Sequence, residues 1–169
     1  MRSVRMIASV ALITALACAC PRPSEESRIA DFVKETVGLA EKRDVAGVMG
    51  RLAEDYADFE GRGKSATESL VRDYFRRTGI VIHLLNVKVD SIEPDGRASV
   101  RLEVMLSSGA AEVFRKLIRY AGDYYRFSLR LKKSPDVTFQ VEFAAWESVG
   151  LDQLLPESLN VLKKLFPDI

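Results

Sequence analysis

The sequence predicts an α+β domain in which three N-terminal helices pack on a curved antiparallel sheet, with an extra helix between strands and another at the C-terminus. Two observations support this prediction. Apolar residues recur at helical spacing up to about residue 79, and from residue 81 they alternate with polar residues, which is the period of a strand. One face of each strand is apolar and the other is largely polar, as in an antiparallel sheet covered on a single side.

An export signal is predicted at residues 1–17. Arg2 and Arg5 are followed by a short uncharged run and then by small residues before a cysteine, which are the three parts of such a signal. The run from Met6 to Ala17 is shorter than the about 20 apolar residues that a membrane-spanning helix needs. We therefore expect cleavage of this segment and not a permanent span.

The residues before the first cysteine indicate a lipidation site. Ala15-Leu16-Ala17-Cys18 resembles the box of bacterial lipoprotein signals, although alanine stands where leucine is commonest. Cys18 is the preferred site and Cys20, in a poorer box, is the alternative. An ordinary secretory signal with one disulfide or two idle thiols is the competing interpretation, but cysteines in this spacing seldom meet disulfide geometry.

The chain then divides into a signal peptide at 1–17, a tether at 18–26, one domain at 27–149 and an amphipathic helix at 150–169. The tether is rich in proline, serine and charge and has no apolar period. Loss of Arg2 and Arg5 leaves 23 of the 25 basic residues against 24 acidic ones, which gives no electrostatic case for binding nucleic acid. Because neither cysteine is followed by aspartate, resemblance to known sorting rules implies the cell envelope, on the periplasmic face of the outer membrane.

Three helices are predicted at the start of the domain, each with a cap. Ser27 is the expected cap of the first helix, Asp44 caps the second, and Ser65 with Glu68 forms a capping box for the third, which ends at Gly79. The inward residues are Ile29, Phe32, Val33, Thr36 and Ala40 in the first helix, Val45, Val48, Met49 and Leu52 in the second, and Leu70, Val71, Tyr74 and Phe75 in the third.

Four long strands follow, each with an apolar face that should point towards the helices. These faces are Val81, His83, Leu85, Val87 and Val89; Ala98, Val100, Leu102, Val104 and Leu106; Tyr125, Phe127, Leu129 and Leu131; and Val137, Phe139, Val141 and Phe143. The extra helix is predicted from Ala110 to Tyr120, between the second and third of these strands.

The C-terminal segment is predicted to cover the other face of the sheet. Its apolar residues recur at helical spacing from Leu151 to Phe166, with Pro156 at a first helical position. The sheet offers it an apolar patch on the side that the first helices cannot reach, which comprises Ile80, Ile82, Leu84, Met105 and Trp146. We expect the tail to fill this patch through Leu155, Leu159, Leu162 and Phe166, because a tethered segment has a high effective concentration. A homodimer through the sheet is the alternative cover.

The order helix, helix, short strand, helix and long meander resembles the nuclear transport factor 2-like superfamily, which has a cone-shaped, cystatin-like α+β fold. The local similarity lies in Leu52 to Gly61 and Lys64 to Phe75, and the whole resemblance covers about Ser27 to Val149. That superfamily includes ketosteroid isomerases, dehydratases, polyketide cyclases and non-enzymatic binding modules. The resemblance therefore implies the fold and leaves the function open.

Three residues are candidates for a ligand pocket, and none forms a catalytic set. His83 is the only histidine and could act as an acid or base on a cavity wall, although a histidine satisfied by one hydrogen bond is the favoured interpretation. Tyr56 and Asp58 lie two residues apart and so share a face of the short strand, where Asp58 is expected to be solvated or capping. No residues map onto the isomerases' catalytic carboxylate and oxyanion-binding pair.

No metal, cofactor or phosphate site is predicted. One histidine without a carboxylate cluster cannot assemble a metal site, and Gly61-Arg62-Gly63-Lys64 lacks the remaining positions of a phosphate loop. Basic residues gather between Arg115 and Lys133; they either meet anionic headgroups or cell-wall polymer, or pair with acidic residues of the N-terminal third, and pairing is favoured.

Two functions from different classes remain. The preferred one is a lipid-anchored, non-enzymatic binding or interaction module that meets a small apolar ligand or an envelope protein. The alternative is an isomerase- or dehydratase-like enzyme that acts on a small apolar ligand in the cone cavity, with His83, Tyr56 or Asp58 in that cavity. The position of His83 distinguishes the two, because a histidine packed in a closed core would leave the enzyme without its candidate base.

Overall fold

A computed structural model describes residues 23–76, 80–108 and 122–165. The helices of these parts are α1 (Glu25–Glu41), α2 (Val45–Gly50), α3 (Lys64–Arg76) and α4 (Pro156–Leu165), with a single 3-10 turn at Leu151–Gln153. The strands are β1 (Leu52–Asp58), β2 (Ile80–Ile92), β3 (Ala98–Ser108), β4 (Gly122–Lys133) and β5 (Phe139–Val149). The predicted helix from Ala110 to Tyr120, both cysteines, Gly79 and Phe166 lie outside the described residues.

The described strands form one sheet in the order β1-β5-β4-β3-β2. The four long strands pair in antiparallel fashion as a meander, whereas β1 runs parallel to β5. The sheet is therefore mixed, and the prediction of a purely antiparallel sheet holds only for the long strands. The α+β class and the order of helices and strands are confirmed.

The caps explain where the first two helices begin. The backbone N–H of Ser27 donates to Ser24 Oγ at 3.1 Å, so Ser24 is the cap and α1 begins earlier than the predicted Ser27. Asp44 caps α2 as predicted, by accepting from the backbone N–H of Gly47 at 2.8 Å. Each side-chain oxygen satisfies an N–H that has no partner within its helix.

The main core lies between α1 and the inner face of the sheet. Ile29, Phe32 and Val33 of α1 are buried, and the rings of Phe32 and Phe139 meet edge to face with centroids 6.0 Å apart. In α3, Val71 packs against this core and Thr67 is buried, whereas Leu70 is 44% exposed. The predicted inward position of Leu70 is wrong because the face that meets the core runs through Thr67 and Val71, four residues apart, and Leu70 is turned away from Val71 by about 100°.

A β-bulge in β2 changes which residues face the core. Leu84 lies opposite Val104 and Asn86 lies opposite Glu103, so Leu85 is an extra residue on this strand. An extra residue inverts the alternation beyond it. Val87 packs against the main core as predicted, but Leu85 belongs to a second core on the outer face.

A second bulge reverses the end of β5 in the same way. Arg130 lies opposite Phe143 and Leu131 lies opposite Val141, which leaves Glu142 as the extra residue. Phe143 consequently lies under the Arg130 guanidinium, 4.7 Å from the ring centroid, and Trp146 packs against the main core. The sequence had predicted the opposite faces for both aromatic residues.

The tail covers the outer face of the sheet, as predicted, although Leu154 and not the predicted Leu155 enters the core there. Leu154 and Leu162 are buried in the second core, where they meet sheet residues, and Leu159 packs against its edge. The sheet side of this core consists of Leu85, Met105, Tyr124 and Val149. Of the predicted outer patch, Met105 is therefore correct, while Ile82, Leu84 and Trp146 pack on the inner side. Within the described ranges, no helix has the length and apolar character needed to cross a membrane.

Candidate functional site

Burial of the inner face changes along the sheet. Where β4 ends and β5 begins, beside the start of α1, Leu131, Phe139 and Val141 are almost completely buried. Towards the other end of the same face, where Val104 is still buried, several apolar side chains are only partly buried. We call these residues the apolar wall, and they are Ile82, Leu84, Leu106, Tyr125, Phe127 and Trp146. This face is therefore tightly packed beside α1 and carries partly exposed apolar side chains towards its other end.

Aromatic rings dominate the β4–β5 side of this wall. The centroids of Phe127 and Trp146 are 6.0 Å apart with the rings tilted by 34°. Phe59, just after β1, meets Trp146 edge to face at 4.8 Å and is itself 48% exposed. Three rings from different parts of the chain thus form one continuous apolar surface, held by paired strands.

Asp58 lies beside this surface, and its carboxylate is hydrogen-bonded to the turn that follows β1. Its side chain is 0% exposed, and it accepts from Arg62 Nε at 2.6 Å and from the backbone N–H groups of Glu60 and Arg62, both at 2.9 Å. Burial is the largest influence and acts to raise the pKa of Asp58, but the three donors together lower it. Asp58 is therefore ionised and caps the turn. Capping was one of the two roles that the sequence predicted for it; the other, a solvated side chain, is wrong because Asp58 is buried.

Arg62 connects this turn to the wall. Its guanidinium lies 5.3 Å from the centroid of Trp146, a cation–π distance, and it also pairs with Glu60. The hydrogen bond with Asp58 is the main cause of the raised pKa of Arg62.

Tyr56 lies in β1, two residues before Asp58, and it is buried in the main core at 5% exposure. Burial raises the pKa of its hydroxyl, and the nearby Thr67 hydroxyl offsets part of this shift. The two hydroxyls interact without the geometry of a full hydrogen bond, since Thr67 Oγ1 is buried and has no hydrogen-bond partner in the described parts of the chain.

His83 lies on the other face of the sheet. It is paired across the ladder with Met105, a member of the second core, and its Nε2 is 3.4 Å from Ser107 Oγ. The structure therefore brings Tyr56 and Asp58 to one side of the sheet and His83 to the opposite side. These three candidates do not form one site.

Glu103 is a buried charged residue whose role the sequence did not indicate. It is 0% exposed on the outer face, and Arg126 donates to its Oε1 from Nε at 2.9 Å and from Nη2 at 2.7 Å. Its Oε2 accepts from the backbone N–H of Leu155 at 3.0 Å and from Ser158 Oγ at 2.6 Å. The ion pair could have been anticipated, because Glu103 and Arg126 lie opposite each other on neighbouring strands. The contacts with Leu155 and Ser158 could not, because they depend on how the tail packs on the sheet.

No group of three or more histidine, cysteine, aspartate or glutamate side chains is placed to hold a metal ion within residues 23–76, 80–108 and 122–165. The basic residues that close β4 are paired with the N-terminal third: Lys132 Nζ lies 2.6 Å from Asp55, and Lys133 Nζ lies 2.7 Å from Glu25. The favoured pairing with the N-terminal third is seen for these two lysines, whereas Arg126 and Arg130 pair with acids of the sheet. Arg115, Lys116 and Arg119 lie outside the described residues.

No protein-family model matches the chain, and no curated protein matches it. Solved structures share its fold. A nuclear transport factor 2-like protein of unknown function from Pseudomonas putida is 18% identical, with a TM-score of 0.60 over 78% of this chain and 96% of that one. A ketosteroid isomerase-like protein from Erwinia carotovora is 14% identical, with a TM-score of 0.53 over 72% and 94% of the two chains.

The protein Bd1075 from Bdellovibrio bacteriovorus is 15% identical, with a TM-score of 0.58 over 72% of this chain. Our chain spans only 41% of the length of that protein. At such identities the similarity establishes the fold alone. The chain has the nuclear transport factor 2-like α+β fold that its element order predicted.

Proposed function

We propose that the chain is a lipid-anchored envelope protein whose apolar wall binds a small apolar ligand, or an apolar segment of an envelope partner, without chemical conversion. One observation carries the proposal: Tyr125, Phe127 and Trp146 remain half-buried on a single inner face, although the same face is closed at its other end. Partly exposed rings on paired strands form a rigid apolar surface, and covering it with a ligand is favourable by about 25 cal/mol per Å² of apolar area.

The surroundings of the wall support binding more than catalysis. The carboxylate of Asp58 is already occupied by three donors that hold it ionised, and His83 lies across the sheet from the wall. The alternative, an isomerase- or dehydratase-like enzyme, would need one of these groups to exchange a proton with a ligand on the wall. Tyr56 would be the remaining candidate, and burial disfavours its ionised form.

The single tryptophan makes binding to the wall directly measurable. Trp146 is the only tryptophan of the chain, so its fluorescence reports the wall without interference. Titration with the uncharged probe N-phenyl-1-naphthylamine should quench Trp146 by energy transfer and saturate. Phe127→Ala should weaken this binding roughly tenfold or more, because it removes a ring that contacts Trp146.

Phe143→Ala is the matched control, since Phe143 lies on the opposite face under Arg130. This variant should bind the probe like the parent protein. Equal weakening in both variants would show that the probe does not use the wall, and absence of saturable quenching in the parent protein would contradict the proposal.

The lipid anchor rests on the signal at residues 1–17 and on Cys18, with Cys20 as the alternative. Mass spectrometry of the mature N-terminus should find a diacylated or triacylated cysteine, and Cys18→Ser should abolish or shift the modification. A mature chain that begins beyond Cys20 without lipid would refute the anchor while leaving the binding experiment unaffected.

A further inference from the structure

A concavity lies beside the start of α1, away from the apolar wall. It has a volume of about 580 Å³ and lies between the start of α1, the end of α2 and the turn from β4 to β5. We call it the basic groove, and it is lined by Arg28, Arg51, Lys133, Ser134, Asp136 and Thr138, together with Pro135 and Val137. Three cations from three separate elements thus converge on one polar depression.

The three cations differ in how far they are already paired. Arg28 has no ion pair or hydrogen bond from its side chain to any residue that the structure describes. Arg51 lies over the ring of Phe32 at 5.4 Å and reaches the exposed Glu35 with one guanidinium nitrogen, Nη2, at 3.2 Å. Among the described residues, one arginine is therefore unpaired and a second keeps unused donors, because a guanidinium carries five N–H groups.

Acidic groups balance this charge. Lys133 Nζ lies 2.7 Å from Glu25 Oε1, an ion pair without full hydrogen-bond geometry, and Asp136 lines the groove itself. Asp136 is the one acid of the lining, and Glu25 and Glu35 neutralise Lys133 and Arg51 from outside it, so the net charge of the groove and its ion-pair partners is near zero. Such a mixture fits a zwitterion better than a polyanion, since each charge of the ligand finds an opposite partner.

We propose that the basic groove binds the phosphoethanolamine headgroup of a membrane phospholipid, with Arg28 and Arg51 on the phosphate and Asp136 facing the ammonium group. Guanidinium groups suit phosphate oxygens because two parallel N–H donors match their spacing. This proposal rests on the proposed lipid anchor and assigns an orientation to the anchored domain.

The position of the anchor brings the groove to the membrane. The first described residue is Pro23, three residues after Cys20 and five after Cys18. A chain spans at most about 3.3–3.6 Å per residue, so the domain begins within about 10–18 Å of either cysteine. Ser24 and Glu25 start α1 beside the groove. The tether therefore holds the groove at headgroup level, where millimolar effective concentrations make weak contacts count.

Hydrogen–deuterium exchange of the purified mature protein tests this orientation. The protein is compared in nanodiscs that contain phosphatidylethanolamine and in detergent without phospholipid. Backbone amides of Ser134, of residues 136–138 and of the first turns of α1 should exchange roughly two- to tenfold more slowly in the nanodiscs, as expected when the effective concentration is near or above the dissociation constant.

Arg28→Gln with Arg51→Gln should abolish this protection. The matched control is Arg72→Gln with Arg76→Gln, which removes two exposed arginines from α3. Protection that persists without Arg28 and Arg51 would overturn the proposal. Equal protection by inorganic phosphate in detergent would overturn the lipid as ligand, and protection only in phosphatidylglycerol nanodiscs would overturn the zwitterionic headgroup.

Failure of the anchor gives a different result. A chain that does not co-purify with nanodiscs would refute the proposed lipidation, and the exchange comparison can still be made by adding nanodiscs at millimolar phosphatidylethanolamine, the concentration that the tether would have supplied. Slow exchange of the groove would then support headgroup binding, and unchanged exchange would refute it.

Discussion

Ser158 Oγ donates to Glu103 Oε2 at 2.6 Å, and it thereby joins the first turn of α4 to a completely buried carboxylate in the middle of the sheet. The backbone N–H of Leu155, just before the helix, donates to the same oxygen at 3.0 Å. A negative charge is favourable at a helix N-terminus, where N–H groups lack partners. Glu103 therefore fixes where the tail docks, while the leucines of the tail supply the apolar contact.

Replacement of Ser158 by alanine should lower the free energy of unfolding by about 1–3 kcal/mol. The change removes one of four donors from a buried ion, and hydrogen bonds to charged groups contribute most when the group has no access to water. Urea denaturation followed by circular dichroism measures the effect. Ser148→Ala, an exposed serine on β5, is the control and should change stability by less than about 0.5 kcal/mol. Equal effects of the two changes would show that the bond to Glu103 contributes little.

Low pH should reduce the free energy of unfolding, in part because Glu103 becomes protonated. Burial is the largest influence and raises its pKa, but the donors Ser158, Leu155 and Arg126 together lower it. Since the pKa of Glu103 is lower in the folded state, its stabilisation is complete above the unfolded value of about 4.3 and is lost as the pH falls through the folded value.

Glu103→Gln should therefore make the decline of the unfolding free energy below about pH 4.3 shallower, because this side chain no longer takes up a proton. Some decline should remain, since the pKa of Asp58 is also lowered. Urea titrations at several pH values measure the slope, with Glu93→Gln in an exposed turn as the control. An unchanged slope in Glu103→Gln would contradict the assignment.

Replacement of Arg62 alone should lower the free energy of unfolding more than replacement of both members of the Arg62–Asp58 ion pair. Arg62→Met leaves the buried Asp58 carboxylate with two backbone donors and no counter-ion, and breaking a buried pair from one side costs about 3–5 kcal/mol at full burial. We expect a smaller loss here because Arg62 is 28% exposed. In Arg62→Met with Asp58→Asn, part of the stability should return, and a double-mutant cycle measures this coupling. Strict additivity would show that the pair is not coupled.

The sequence predicted the elements better than it predicted their faces. Periods of 3.6 and 2 identify helices and strands locally, and Asp44 caps α2 where the pattern placed it. A bulge adds one residue to a strand without a clear local signal, and Leu84-Leu85 is apolar at both positions. The pattern therefore could not show that Leu84 faces one core and Leu85 the other.

The candidate site was predictable only in part. Tyr56 and Asp58 share a side of β1, as a spacing of two requires, and both are buried. His83 was misplaced because the bulge at Leu85 separates its face from that of Val87. Trp146 was placed outside for the same reason, since the bulge at Glu142 precedes it. The roles of Glu103 and Arg62 depend on partners that folding brings together, and no spacing rule reveals them.

The last prediction concerns the tail, and its measurement is the mass of the protein in solution. A chain that ends at Gly150 loses α4 and the buried Leu154 and Leu162. It exposes an apolar patch on the sheet and leaves Glu103 with Arg126 as its only donor among those described. The exposed residues would be Leu85, Met105, Tyr124 and Val149. Burial of this patch is favourable in water, so the shortened chain should associate or lose stability.

A second chain that ends at Leu165 serves as the control, because it keeps every described contact of α4. Sedimentation velocity should find this control monomeric in detergent-free buffer when Cys18 and Cys20 are both replaced by serine, and the chain that ends at Gly150 should sediment faster or unfold at lower urea. The comparison separates the tail from a homodimer through the sheet, since the two would cover the same face. If the chain that ends at Gly150 were monomeric and as stable as the control, the contacts of Leu154 and Leu162 would contribute nothing, and a cover for this face would not be needed.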